Sequence, residues 1–124
     1  MSVAQTRALV QRLPGVTEGR SYGLPSFLLN GRFLARFRDE DTVLVLQLAS
    51  IGERDVLMEL DRRAFFFTDH YKDYPAVLIR LAEVPAPLLT DVVTEAWRHV
   101  GALPPVRPRR KMVKRTKPRR RSGR

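Results

Sequence analysis

The dipeptide Asn30-Gly31, set in a stretch of alternating apolar residues, constrains the fold more than any other feature of the sequence. A two-residue type I′ turn needs positive φ at both central positions, which asparagine and glycine adopt readily. The dipeptide therefore predicts a β-hairpin, and the length of the turn fixes which residues lie opposite one another. The predicted pairs are Leu28 with Phe33, Phe27 with Leu34, and Ser26 with Ala35.

An acidic turn at residues 39–41 then predicts a third antiparallel strand. The predicted pairs across it are Arg38 with Val43, Phe37 with Leu44, Ala35 with Leu46, and Phe33 with Leu48. Because side chains alternate along a strand, this meander has two faces. The face predicted to be buried holds Leu28, Phe33, Ala35, Phe37, Leu44, Leu46 and Leu48. The outer face holds Phe27, Leu29, Arg32, Leu34, Arg36, Arg38, Val43, Val45 and Gln47.

Three amphipathic helices are predicted around the meander. Ser2 caps the first, and Ser50 with Glu53 forms a capping box at the start of the second. Pro87 stands in the first turn of the third helix, which Gly101 closes. The predicted core residues are Val3, Leu9, Val10 and Leu13 in the first helix, Val56, Leu57 and Leu60 in the second, and Leu89, Val92, Val93, Ala96 and Val100 in the third.

Two further strands are predicted between the second and third helices, at residues 64–68 and 76–82. Residues 17–22 are a weaker strand candidate, because Gly23 and Pro25 interrupt the pattern, and an irregular lead into the meander is the alternative. Strands joined by tight turns favour an antiparallel sheet, and the helices should cover its apolar face. The predicted fold class is α+β, a two-layer sandwich with a five-stranded antiparallel sheet in the order α-β-β-β-α-β-β-α.

The formal charge of +10 is concentrated at one end of the chain. Of the 23 lysine and arginine residues, 11 lie in residues 107–124, where no acidic residue occurs, so 12 basic residues face 13 acidic ones in the rest. The basic segment has too few apolar residues to fold alone, and its charges repel one another. We therefore predict one folded domain at residues 1–103 and a disordered basic tail at residues 104–124.

Motifs for catalysis, metal binding and cofactor binding are absent from the sequence. With no cysteine and only two histidines, it offers no thiolate chemistry, no Cys-ligated zinc site and no histidine cluster. It has neither a Gly-rich phosphate loop nor a nucleophile elbow. No apolar run is long enough to span a membrane. We expect a cytoplasmic protein that is not an enzyme and needs no metal, cofactor or membrane.

A set of short motifs spans residues 13–97. They are LPGVTE at 13–18, YGLPSF at 22–27, NGRFLA at 30–35, FF at 66–67, DHY at 69–71, the strand at 76–81, and AW at 96–97. Their order and spacing resemble the MmcQ/YjbR-like family. The resemblance implies a two-layer α/β fold with a five-stranded antiparallel sheet, and DNA binding through paired hairpin wings. Arg32 stands where the family often has lysine, and the basic tail lies outside the family pattern.

The candidate nucleic-acid-binding residues are basic side chains of the hairpin and the tail. Arginines on the predicted outer face alternate with apolar side chains, a mixture that contacts phosphates and stacks bases. The tail would lie along the phosphate backbone. DNA is favoured over RNA, with little sequence preference, which would place the protein at the nucleoid. The candidates are Arg32, Arg36 and Arg38 on the hairpin, and Arg107, Arg109, Arg110, Lys111, Lys114, Arg115, Lys117, Arg119, Arg120 and Arg121 in the tail.

The same outer face has two other interpretations. Its apolar side chains could form a patch that binds a second copy of the chain, another protein or a small ligand, with the tail incidental. It could also be an ordinary exposed sheet face on which arginine stems cover apolar neighbours. The residues of the predicted patch are Phe27, Leu29, Leu34, Val43 and Val45.

Overall fold

The computed structural model describes residues 1–21, 24–38 and 42–104. The predicted tail at residues 104–124 therefore lies outside the described residues, except for Pro104. The elements are α1 (Val3–Arg12), β1 (Val16–Ser21), β2 (Leu24–Leu29), β3 (Arg32–Arg38), β4 (Val43–Gln47), α2 (Ile51–Leu60), β5 (Phe65–Phe66), a short 3₁₀ helix (Asp69–Tyr71), β6 (Ala76–Arg80) and α3 (Ala86–Ala102).

All strands join one antiparallel sheet in the spatial order β1-β2-β3-β4-β6-β5. The predicted α+β class is confirmed, but the described residues form a sheet of six strands instead of the predicted five. The additional strand is β1, the weaker candidate, which pairs with β2 along its whole length. Pro25 is part of this pairing, opposite Arg20, and it lies beyond the part of β2 that pairs with β3.

The hairpin turn forms as predicted, with φ of 55° at Asn30 and 79° at Gly31. Leu28 lies opposite Phe33, which confirms the first predicted pair. The next pair, however, is Phe27 with Ala35, so Leu34 is an extra residue on β3 and forms a β-bulge. The predicted pairs of Phe27 with Leu34 and of Ser26 with Ala35 are therefore wrong.

The bulge reverses the predicted faces on one side of Leu34 only. Beyond it, the register of β3 and β4 is as predicted, with Phe37 opposite Leu44 and Ala35 opposite Leu46. Before it, every side chain changes face. Phe27, Leu29 and Leu34 join the main core, whereas Phe33 packs in a cluster on the other side of the sheet. Leu48 belongs to the main core, so its predicted pairing with Phe33 is wrong as well.

Both faces of the sheet bury apolar side chains. The main core lies between the sheet and the helices, and the predicted buried stripe of α3 is confirmed at Leu89, Val92, Val93, Ala96 and Val100. On the opposite face, Tyr71 of the 3₁₀ helix packs against β4 and β6. That second cluster also contains Val43, Val45, Ala76 and Leu78, with Phe33 and Phe66 at its margin. No helix in the described part of the chain has the length and apolar character needed to cross a bilayer.

Replacing Leu34 by alanine tests its burial at the bulge. Leu34 is fully buried, whereas Leu60 of α2 is 63% exposed. We expect Leu34→Ala to lower the free energy of unfolding by about 2–5 kcal/mol, because it leaves a cavity in the core. The matched variant Leu60→Ala should change it by less than about 0.5 kcal/mol. Urea unfolding of both variants measures the difference, and equal effects would place Leu34 on a solvated face.

Candidate functional site

The buried face of α2 differs from the predicted one, and it contains Arg54, the first residue of the candidate site. Val56 and Leu60 were predicted to face the core, yet they are 67% and 63% exposed. Leu57 packs against the core as predicted, and Arg54 and Met58 share its face at the i, i+3 and i+4 spacing of a helix. An arginine therefore occupies a buried helix position, where it is 3% exposed.

Arg54 holds the loop that follows β5. Its guanidinium donates to the backbone carbonyl oxygens of Tyr71 at 2.8 Å, Lys72 at 3.1 Å and Tyr74 at 3.1 Å. Its guanidinium carbon also lies 4.0 Å from the centre of the Phe67 ring, a cation–π contact. The buried Arg54 guanidinium thus donates to three backbone carbonyl groups of an irregular segment, and these hydrogen bonds fix the position of residues 71–74.

Arg36 of β3 approaches the same loop from the sheet. It is 8% exposed, and it donates a hydrogen bond to the Tyr71 hydroxyl oxygen. Its guanidinium carbon lies 6.0 Å from the centre of the Tyr71 ring. Tyr71 is therefore held at both ends, with its carbonyl group bound by Arg54 and its hydroxyl group bound by Arg36.

A cavity of about 190 Å³ opens beside this contact, on the sheet face opposite the helices. Arg36 lines it together with aromatic side chains, and the His70 ring meets the Tyr71 ring edge to face at 4.8 Å. The amide nitrogen of Gln47 donates to the carbonyl oxygens of Leu48 and Pro75, at 3.0 and 3.2 Å. The lining residues are Phe33, Arg36, Gln47, His70, Tyr71, Tyr74 and Ala76.

The three hairpin arginines do not share a surface, which corrects the prediction. Because of the bulge, Arg32 lies near the end of α3, where its Nε donates to the Pro104 carbonyl oxygen at 2.7 Å. Arg36 lies on the opposite face and is buried. Arg38 lies two residues further along the regular part of β3, on the same face as Arg36, and is half-buried. A continuous arginine surface on the hairpin is therefore not formed.

The apolar patch predicted for a partner is not exposed either. Each of its five residues is at most 5% exposed. Phe27, Leu29 and Leu34 lie in the main core. Val43 and Val45 lie in the second cluster, which also contains Tyr71.

Several other basic side chains of the described domain are paired with acidic ones. Arg7 binds Glu18 at 2.7 Å, Arg63 lies 3.4 Å from Glu83, and Arg98 contacts Glu95. Among the described residues, no three His, Asp or Glu side chains gather in a group that could hold a metal ion. The described surface thus presents mixed charge.

Arg54, Tyr71 and Gln47 were not predicted to belong to a site. The sequence does carry one signal, since Arg54 precedes Leu57 and Met58 at helix spacing, but arginine at such a position usually faces solvent. The position of Tyr71 could not be predicted, because this residue lies in a loop whose path is determined by tertiary contacts.

No family model matches the sequence. The uncharacterized proteins Mb2600 of Mycobacterium bovis and Rv2570 of Mycobacterium tuberculosis are 34% identical to it over 55 residues, which are 44% of this chain. The match spans only 43% of the length of those relatives. The crystal structure of DR2400 from Deinococcus radiodurans, a DUF419 domain, matches with a TM-score of 0.70 at 18% identity, over 82% of this chain and 79% of that one. DUF419 has the MmcQ/YjbR-like fold, so this likeness confirms the fold that the motifs implied.

Replacing Arg54 tests its role in holding the loop. We expect Arg54→Gln to lower the free energy of unfolding by roughly 2–4 kcal/mol, because it leaves buried carbonyl groups without their charged donor. Trypsin should then cleave faster after Lys72, which is exposed in the held loop. Arg62→Gln, an exposed arginine just beyond α2, is the control for loss of one charge. Equal stability and equal cleavage of the two variants would contradict the role of Arg54.

Proposed function

We propose that this chain is a nucleic-acid-binding protein, with duplex DNA as the preferred partner, and that its basic C-terminal residues supply most of the affinity. The observation that carries the proposal is the separation of charge. Residues 107–124 contain 11 basic side chains and no acidic one, whereas 12 basic and 13 acidic side chains occupy the rest of the chain. A segment with one charge sign binds phosphates with little regard to sequence.

The described domain would have a secondary part in this binding. Arg36 is buried against Tyr71, so we no longer include it among the phosphate contacts. Arg32 and Arg38 are half-buried and lie on opposite faces of the sheet, so they could orient a duplex but not grip it together. The resemblance to the MmcQ/YjbR-like family supports DNA rather than RNA as the partner.

A second copy of the chain is the alternative partner. The patch predicted for it is buried, but Val56 and Leu60 of α2 are two aliphatic side chains four residues apart that are more than 60% exposed. Sedimentation velocity of the wild type and of Val56→Glu tests this alternative. A dimer that the substitution dissociates would support it, and a monomer in both cases would exclude it.

Salt dependence of DNA binding tests the leading proposal. If about five basic residues of the tail contact phosphates, log K should fall with log salt with a slope of about −4.5. We expect residues 1–104 alone to bind far more weakly, with a much flatter slope, in fluorescence anisotropy titrations with duplex DNA. Equal affinity and slope for the full chain and for residues 1–104 would refute the proposal.

Matched charge removal makes the test specific to the tail. The double variant Arg120→Gln, Arg121→Gln should flatten the slope by about 0.8, since two of the 11 basic residues account for about one of the five phosphate contacts and each contact contributes about 0.9. The control Arg12→Gln, Arg62→Gln removes the same charge from exposed positions of the folded domain and should leave the slope almost unchanged. Equal changes in the two double variants would mean that only net charge matters.

A further inference from the structure

We propose that the cavity between Arg36 and Tyr74 binds a small aromatic carboxylate, with the Arg36 guanidinium pairing the carboxylate group. This site is independent of the proposed binding of nucleic acid. The proposal rests on three features of the cavity: a buried cation without a described acidic partner, aromatic walls, and a volume that suits one ring.

The cation is the first feature. Arg36 is 8% exposed, and no carboxylate of the described residues lies within salt-bridge distance of it. Its side chain donates one hydrogen bond, to the Tyr71 hydroxyl group. Arg36 lines the cavity, and the fully buried side-chain atoms without a partner among the described residues belong instead to Arg54 and Thr68. A guanidinium with unused N–H groups is suited to bind a planar carboxylate through two hydrogen bonds.

The walls favour a flat apolar ligand. Phe33, His70, Tyr71 and Tyr74 present aromatic surface to the cavity. Its volume is about 190 Å³, and a protein cavity of about 150 Å³ is known to hold benzene. One six-membered ring with a carboxylate group therefore fits the space. The lining is mostly apolar, which lowers the local dielectric constant and strengthens the pairing of charges beside it.

The single cation argues for a monoanion rather than a phosphate. Arg36 supplies one positive charge to the cavity, and pairing it with a carboxylate leaves no excess charge in a partly desolvated site. A phosphate group would bring nearly two negative charges, of which one would stay uncompensated beside an apolar wall.

Isothermal titration calorimetry of the full-length protein tests the site with four probes. Benzoate carries both ring and carboxylate, benzyl alcohol carries the ring alone, acetate carries the carboxylate alone, and inorganic phosphate is the competing anion. We expect benzoate to bind at least about tenfold more tightly than each of the others. Arg36→Gln should weaken benzoate binding at least about tenfold, whereas Arg62→Gln should leave it unchanged.

A second variant keeps the proposal testable if Arg36→Gln fails to fold. The Tyr74 side chain is 60% exposed, so Tyr74→Ala removes part of the wall without disturbing the core. It should weaken benzoate binding several-fold and leave the weak binding of acetate unchanged. The proposal is overturned if benzoate does not bind, if phosphate binds as tightly, or if neither Arg36→Gln nor Tyr74→Ala affects benzoate.

Discussion

The β-bulge at Leu34 decides which residues of the hairpin lie in the core and which reach the opposite face. One extra residue between the pairs Leu28–Phe33 and Phe27–Ala35 reverses the alternation, since side chains change face with every residue. Phe27 and Leu29 thereby enter the core under the helices, and Phe33 moves to the other side. Without the bulge, Phe33 could not line the cavity that Arg36 shares. The fold and the candidate ligand site therefore depend on the same irregularity.

Two buried arginines connect that sheet face to the loop that covers it. Arg54 binds three backbone carbonyl groups of the loop, and Arg36 binds the hydroxyl group of Tyr71. Burying a cation is costly unless donors and partners are matched. For Arg54, three carbonyl dipoles and the Phe67 ring supply the match, although the buried Nε has no hydrogen-bond partner. For Arg36 the described partners belong to one residue, since the Tyr71 hydroxyl group accepts one hydrogen bond and the Tyr71 ring lies 6.0 Å from the guanidinium carbon. This smaller set of partners is the reason we propose that Arg36 can receive a ligand.

Local chemistry allowed much of the fold to be predicted. The Asn30-Gly31 turn, the register of β3 with β4 and the buried stripe of α3 all depend on residues close in sequence, and all are observed. The bulge, by contrast, leaves no local signal, because Leu34 and Ala35 are both apolar and either could face the core. The site was missed for a related reason. Arg36 and Arg54 look like surface arginines until the chain places Tyr71 between them, and that contact is a property of the tertiary fold.

The two proposed binding sites should differ in how strongly salt weakens the binding of their ligands. At physiological ionic strength charges are screened beyond about 8 Å, so binding of DNA through the basic C-terminal residues should be strongly salt-dependent. Arg36 is 8% exposed, and its guanidinium would pair a carboxylate over one contact distance, where screening by ions is weak. Affinity for a small carboxylate should therefore persist at salt concentrations that release DNA. A common salt dependence for both ligands would instead indicate that benzoate, like DNA, binds to the basic C-terminal residues.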